Sequence, residues 1–272
     1  MTLPLLGVAI RRGDLDVLRD WIFGPGRAIE IQDFVMPEVI TGDCGPLIAS
    51  YRAALDGHAG ARGIHGPFFG LDLSNPDPEI RAVIQARLLK GLEIAEALGA
   101  THMVVHSPFT YWHLLNRRNY AELHGQMLEA IAACLAPVLA RAGDIGCDLM
   151  LENIDDTDPG DRNDVVTRIG HPNLRVSIDT GHAQLAHGRY GAPPVVDFIA
   201  EAGAHLGHVH VQDADGYADR HWHPGEGCVP WAAVFAALAR SPAAPRLILE
   251  VRDRLERLPM TVAALEERGL AR

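Results

Sequence analysis

Short apolar runs rich in Val, Ile and Leu alternate with longer segments of helical period along the whole chain. Eight of these runs read as strands: Leu5–Ile10, Ala28–Asp33, Gly63–Phe68, Thr101–Ser107, Asp148–Asn153, Leu174–Thr180, Gly207–Asp213 and Arg246–Val251. Each is closed by polar or Gly/Pro punctuation. The clearest helix runs from Asp77 to Leu98. Asp77 can cap it, Pro78 suits its first turn and Gly99 ends it. Ile80, Val83, Ile84, Leu88, Leu92 and Ala95 keep helical spacing within it. Tyr120–Gly143 reads as a second long helix, bent at Pro137. Pro193, Pro230 and Pro259 stand where later helices begin.

Strict alternation of strand and helix, with right-handed crossovers, predicts a parallel sheet covered by helices. A doubly wound open sheet is the competing architecture. Eight units favour closure into a single (β/α)8 barrel, expected to occupy residues 1–272 as one domain, close to the roughly 250 residues usual for that fold. No repeat, low-complexity stretch or interdomain linker interrupts the pattern.

Closure changes what the polar residues mean. His65, His106, Glu152, Asp179, His182, His210, Asp219, His221 and Glu250 all sit at or just beyond the ends of these runs. A parallel barrel brings its C-terminal strand ends to one mouth, so side chains far apart in sequence can meet. Parity adds a check: alternate strand residues share a face. Met150 goes with Glu152, Ser177 with Asp179, Ile248 with Glu250, and His208 with His210 and Gln212.

Glu152, Asp179, His210 and Glu250 form the central constellation. A carboxylate at the end of an apolar strand is costly unless it is paired, hydrogen-bonded or on a metal. Three carboxylates and an imidazole suit Mn²⁺, Mg²⁺, Co²⁺ or Zn²⁺ without selecting one. Arginine ion pairs across the mouth are the simpler alternative for each residue alone, but less so for the set. Asp179-Thr-Gly-His182 reads as a tight strand-exit loop in which Gly181 turns the chain and His182 folds back over the mouth. Asp219 and His221 can grip one ion or one hydroxylated ligand. The glycines of Pro224-Gly-Glu-Gly227 would allow backbone approach to a substrate oxygen or phosphate. His65 and His106 end strands three and four; His102 and His208 lie deeper and read as satisfied core histidines. Phe68 and Trp112, with Phe69, Phe109 and Tyr111, are candidates to wall a pocket against the apolar face of a sugar.

The formal net charge is −11, and such a surface repels phosphate backbones, which counts against a nucleic-acid partner. Cys44, Cys134, Cys147 and Cys228 are scattered, with no CxxC pair, as in a reduced cytoplasmic protein. No signal-like start and no run of roughly 18 apolar residues points to a membrane. Lys90, the only lysine, lies within a helical pattern, which argues against lysine chemistry. The chain has no Gly-x-Ser-x-Gly elbow, Walker loop or dinucleotide fingerprint. An assembly of identical chains is compatible with the sequence.

Several segments together resemble the xylose-isomerase-like barrel superfamily, which includes sugar-phosphate isomerase/epimerase proteins and endonuclease IV. They are Ile64-His-Gly-Pro-Phe68, Val105-His-Ser-Pro108, Leu151-Glu-Asn153, Ile178-Asp-Thr-Gly-His182, His208-Val-His-Val-Gln-Asp213, Asp219-Arg-His221 through Gly227, and Leu249-Glu250. In the epimerase branch, the positions of Glu152, Asp179, His210 and Glu250 hold one divalent ion, and the two glutamates move protons on a sugar ketone. In the endonuclease branch, all nine positions hold three zinc ions, which implies additional Zn²⁺ at His65, His106, His182, Asp219 and His221. The surroundings depart from endonuclease IV. Ser107-Pro108-Phe109 replaces its Pro-Gly-Ser, Ile154 to Asp158 replaces its Gly-rich segment, and Gly181 replaces its cysteine. The resemblance therefore implies a metal-dependent isomerase or epimerase with a carbohydrate-like substrate, Glu152 and Glu250 as proton carriers, and His65, His106, His182, Asp219, His221, Phe68 and Trp112 around the substrate. An abasic-site endonuclease, or a keto-sugar dehydratase or lyase, is the alternative.

Overall fold

A computed structural model describes residues 3–272. Its strands are β1 (Gly7–Ile10), β2 (Ile29–Ile31), β3 (Arg62–His65), β4 (His102–His106), β5 (Asp148–Glu152), β6 (Leu174–Asp179), β7 (Leu206–Val211) and β8 (Arg246–Leu249). They close into a barrel in sequence order, every neighbouring pair parallel, with β8 returning to β1. The eight predicted runs are all present, most of them trimmed. β3 stops before Pro67, which has no N–H to donate to a ladder. β6 stops at Asp179 because a helix starts at the next residue.

The pleat sorts the strands into two faces. One carries Val8, Ile10, Ile29, Ile31, Ile64, Met103, Val105, Leu149, Leu151, Val176, Ile178, Val209, Val211 and Leu249, all fully or almost fully buried in the hydrophobic core. Burying a side chain of this size is worth about 1.5–3 kcal/mol, so this layer under the helices is the main attachment of the helical shell. The other face points into the barrel and is unusually polar. It carries Glu30, His65, His102, Glu152, Ser177, Asp179, His208 and His210, all buried. Buried polar groups demand partners, and the interior is built around supplying them.

The helical shell follows the sequence closely. The helix Pro78–Leu98 is capped by Asp77, whose Oδ1 accepts from Glu79 N (2.8 Å), and it ends at Gly99 with φ +66°. The second long helix spans Leu123–Ile145, three residues later than the predicted start, with Pro137 inside it. Later helices open at Val195, Trp231 and Leu258, close to the three prolines. Against the expectation of no membrane-length apolar segment, Leu123–Ile145 is long and apolar enough to cross one by length and composition. Here its face of Met127, Ile131, Cys134, Leu135, Val138, Leu139 and Ala142 packs into the core.

Candidate metal centre

Four strands place the central constellation. Glu152 ends β5, Asp179 ends β6, His210 lies on β7, and Glu250 follows β8. The register aligns Asp179 with His210 and His210 with Ile248, so the side chains rise to neighbouring levels of one wall. One ligand atom from each of the four lies within 4.8 Å of the others. Donors bound about 2.1 Å from a common ion sit roughly 3–4 Å apart, so small adjustments would close this group on a cation. Two oxygens ask for one: Glu152 Oε2 and Asp179 Oδ2 are buried without any hydrogen-bond partner.

The electrostatics agree. Burial pushes the Asp179 carboxyl up to about 6, with Glu152 and Glu250 pushing the same way against His182. Burial also opposes ionisation of Glu152, but His210, His65 and His106 around it hold it well below the usual carboxylate range. His210 is held well above its ordinary value; burial opposes, and Glu250, Glu30 and Glu152 outweigh it. Its Nδ1 lies 2.6 Å from Glu152 Oε1 and 3.4 Å from Glu250 Oε2. A divalent cation entering here would replace the His210 proton as the counter-charge to these carboxylates.

Two further ligand groups flank the first. His65, His106 and Glu152 make one; His182, Asp219 and His221 make the other. Their histidines are oriented by the backbone. His65 Nδ1 donates to Gly66 O (2.9 Å), His182 Nδ1 to Asn153 O (2.9 Å) and His221 Nδ1 to Glu250 O (3.0 Å). A carbonyl only accepts, so in each ring Nδ1 carries the hydrogen and Nε2 turns to the ligand group. His65 and His106 bring their Nε2 atoms 3.3 Å apart, each 3.6 Å from Glu152 Oε2. Burial and the neighbouring His65 push His106 down to about 3, leaving a neutral ring with a lone pair to give. His182 and His221 bring Nε2 to 3.3 and 3.0 Å from Asp219 Oδ1. Nitrogen and carboxylate donors in threes fit zinc or manganese better than calcium. The barrel thus brings all nine sequence-predicted ligands into three groups, two of which share Glu152.

Comparison with known proteins fits this arrangement. The description of the xylose isomerase-like TIM barrel family matches residues 33–268. This chain belongs to that family. A D-psicose 3-epimerase of Ruminiclostridium cellulolyticum is 27% identical over 184 residues, 64% of this chain and 57% of that protein. A protein named probable endonuclease 4, from Symbiobacterium thermophilum, is 31% identical over 190 residues, 65% of each chain. The matches thus span less than two thirds of these relatives' own length. Among solved structures, the TTHB071 protein from Thermus thermophilus, soaked with ZnCl₂, superposes with a TM-score of 0.71, 26% identity, and coverage of 97% of this chain and 98% of that one.

Within this xylose isomerase-like barrel several residues play parts their sequence context did not suggest. Asp179-Thr-Gly-His182 is not a loop: the helix Thr180–Tyr190 begins at once, and Asp179 caps it by accepting from His182 N (2.7 Å). Gly181 is needed for space. A Cβ there would collide with the side-chain amide of Gln212, and Gln212 holds Asp179 Oδ1 (2.9 Å) and His221 N (3.1 Å). Gly181→Ala should therefore cost about 1–3 kcal/mol as an overpacked site. That is a fall of several degrees in a thermal melt; an unchanged melt would show that Gln212 can move aside freely. His221 adopts φ +49°, a left-handed backbone uncommon outside glycine, fixed by Gln212 and by Arg252 N donating to His221 O (3.2 Å).

The Pro224–Gly227 turn is built around the buried carboxylate of Asp213. Asp213 gathers it, accepting from Gly225 N (2.7 Å), Val229 N (3.0 Å) and Trp231 Nε1 (2.8 Å). Gly227 is small because Asp213 and Ala214 O fill its Cβ position, and Glu226 is taken by Arg254 and Arg257. Phe68 lines the cavity, stacked on His106 with centroids 4.1 Å apart. Trp112 does not. It sits on the short helix Tyr111–Asn116, leans on Tyr120 and lines no part of the cavity, while Phe109 is core.

The cavity above the ligands has a volume of about 640 Å³, within the range of small-molecule sites. His65, His106, Glu152, Glu250 and Phe68 line it, with Arg11 and Arg252 at its rim. Two residues that the sequence did not single out complete its floor, Gln32 lining it and Glu30 lying beneath. Glu30, fully buried on β2, meets His102, His208 and His210. Gln32 donates to both Glu30 Oε1 (3.0 Å) and Glu250 Oε1 (3.1 Å). Their signal was an isolated carboxylate between Ile29 and Ile31, sharing a face with Gln32. His102 is a satisfied core histidine, as its depth implied, whereas His208 is held on Nδ1 by Ser177 Oγ and leaves Nε2 without a hydrogen bond.

Proposed function

We propose that this chain is a divalent-metal-dependent isomerase or epimerase acting on a sugar, keto-sugar or related polyhydroxy carbonyl compound. The observation that carries this reading is that Glu152 and Glu250 meet in one four-ligand group and both line the cavity that Phe68 walls. Kinship with a chain named D-psicose 3-epimerase supports the same chemistry. Glu152, Asp179, His210 and Glu250 would hold the ion, whether Mn²⁺, Mg²⁺, Co²⁺ or Zn²⁺; the two flanking groups would take additional Zn²⁺ or hold substrate oxygens. The ion's contribution, when bound, is to polarise a substrate carbonyl and acidify the adjacent C–H.

The protein's own groups do the rest. One of Glu152 and Glu250 takes the proton from the carbon beside the carbonyl, and the C–H electron pair moves into the adjacent C–O system. The other glutamate returns a proton. Gln32 holds Glu250 by Oε1, leaving Oε2 on the side of His210 and His221. His182, His221 and His65 would hold substrate oxygens, and Phe68 would pack an apolar sugar face. Continuing the β1–β8 register sets Arg11 abreast of Arg252, where the pair would meet an anionic substituent. A dehydratase or lyase would begin with the same proton abstraction.

One observation favours a second reading. Both flanking ligand groups are complete, as abasic-site cleavage by a zinc cluster would need, and one relative is named probable endonuclease 4. The acidic balance and the altered segments after β4, β5 and β6 weigh against it. One experiment separates the two: metal analysis of the purified protein, then a keto-sugar panel with and without chelator beside an abasic duplex at physiological salt. The expected result is chelator-sensitive turnover of a sugar and negligible incision. Zinc-dependent incision, lost in His106→Ala and unaccompanied by sugar turnover, would replace the first reading with the second.

A further inference from the structure

The polar floor of the barrel holds a carboxylate that the chemistry above does not use. Glu30 lies at a position of β2 flanked in register by Ala9 of β1 and Gly63 of β3. These small neighbours leave room for its side chain to cross the barrel. The missing Cβ of Gly63 gives its place to the His102 ring, which any side chain there would overlap. Glu30 Oε2 meets His102 Nε2 at 2.8 Å, and His208 Nε2 approaches it at 3.1 Å off the hydrogen-bonding axis. Glu30 Oε1 takes His210 Nε2 at 2.8 Å and Gln32 Nε2 at 3.0 Å. Ser177 Oγ fixes the far nitrogen of His208 at 2.9 Å, and Arg246 that of His102.

We infer that Glu30 is a positioning residue that sets which nitrogen of His210 faces the ligand group. This inference rests on the metal reading proposed above. An ionised carboxylate only accepts hydrogen bonds. Without an ion both His210 nitrogens meet carboxylates and donate, Nε2 to Glu30 and Nδ1 to Glu152; an ion held by Glu152 and Glu250 would take the place of the Nδ1 hydrogen and leave Nε2–H on Glu30. Nδ1 is the nitrogen that faces Glu152 Oε1 at 2.6 Å and Glu250 Oε2 at 3.4 Å. His65, His182 and His221 are oriented the opposite way, by backbone carbonyls on Nδ1. His210 differs from them in presenting Nδ1 and in being held by a side-chain carboxylate on its other nitrogen. Through Gln32, Glu30 also reaches Glu250, so two of the four central ligands share one support.

Partners that orient a ligating histidine are commonly worth about 10–100-fold in metal affinity. The test is metal affinity by competition with a chromophoric chelator, together with the absorption spectrum of the Co²⁺-loaded protein. Glu30→Met removes the acceptor and should weaken binding by roughly 10–100-fold with an altered spectrum. Glu30→Gln keeps an oxygen but loses the charge and should fall between it and wild type. His102→Gln disturbs the same floor without touching His210 and should bind nearly as wild type. Both Glu30 variants matching wild type in affinity and spectrum would overturn the assignment, as would an equal loss in His102→Gln. One measurement needs no variant: in the zinc-loaded wild-type chain, NMR of the ring nitrogens should find His210 metal-bound through Nδ1 and protonated on Nε2. Coordination through Nε2 would overturn the inference even if the variants fail to fold. A wild-type chain that takes up no ion at all would instead overturn the metal reading itself.

Discussion

Glu152→Gln and Asp179→Asn should both leave purification with little bound metal and with activity reduced about 100-fold or more. The bound on magnitude comes from indirect effects: a partner that merely orients a ligand is worth about 10–100-fold in affinity, and a direct ligand should exceed it. Glu152 is the more exposed to loss, because it joins the central group to one of its flanks. Its Oε1 meets His210, and its Oε2 faces both His65 and His106. Asp179 tests the charge more cleanly. Its Oδ1 is engaged by His182 N and Gln212, contacts that an asparagine oxygen can keep, while its Oδ2 has no partner to lose. The metal-free Asp179→Asn chain should therefore melt no lower than metal-free wild type, since it removes one of several crowded carboxylates. Elemental analysis and thermal melts with and without chelator read out both parts. Wild-type metal occupancy in both variants would end the assignment of this group as a cation site.

How far the site was legible in advance follows from which forces act locally. The β-runs could be counted and ordered because each is short, rich in Val, Ile or Leu, and closed by polar or Gly/Pro punctuation. Parity then carried Glu152, Asp179 and Glu250 inward together. Glu30 was illegible for a different reason. Its partners His102, His208 and His210 come from β4 and β7, and only closure of the barrel brings them across to β2. Gly181 shows a limit of residue type itself. A turn needing backbone freedom and a helix start needing room for Gln212 both select against a Cβ, and the letter is the same. Gly227 was read as space for a ligand and proves to be space for Asp213. Trp112 lies six residues beyond the end of β4, where Phe68 lies three beyond the end of β3. Its segment winds into a helix of its own, from Tyr111 to Asn116, and its side chain rests on Tyr120, away from the cavity.

Glu250→Gln should separate holding an ion from moving a proton. The substitution keeps an oxygen that can coordinate weakly and can still accept the Gln32 amide, which now meets Glu250 Oε1 at 3.1 Å. It removes the carboxylate that would accept the substrate's proton. Glu250 is also the least buried of the four central ligands, its side chain 12% exposed where Glu152 is 1% and Asp179 and His210 are 0%. It therefore stands nearest the cavity in which a substrate would lie. Saturated with metal, the variant should still bind substrate but exchange the proton beside the carbonyl with solvent D₂O far more slowly than wild type. General acid–base groups are commonly worth about 10²–10⁴-fold, so a loss in that range fits the role. Wild type should wash deuterium into that carbon during turnover. A metal-replete glutamine variant that exchanges at the wild-type rate would reduce Glu250 to a ligand, and the proton carrier would then be sought at Glu152, across the same group.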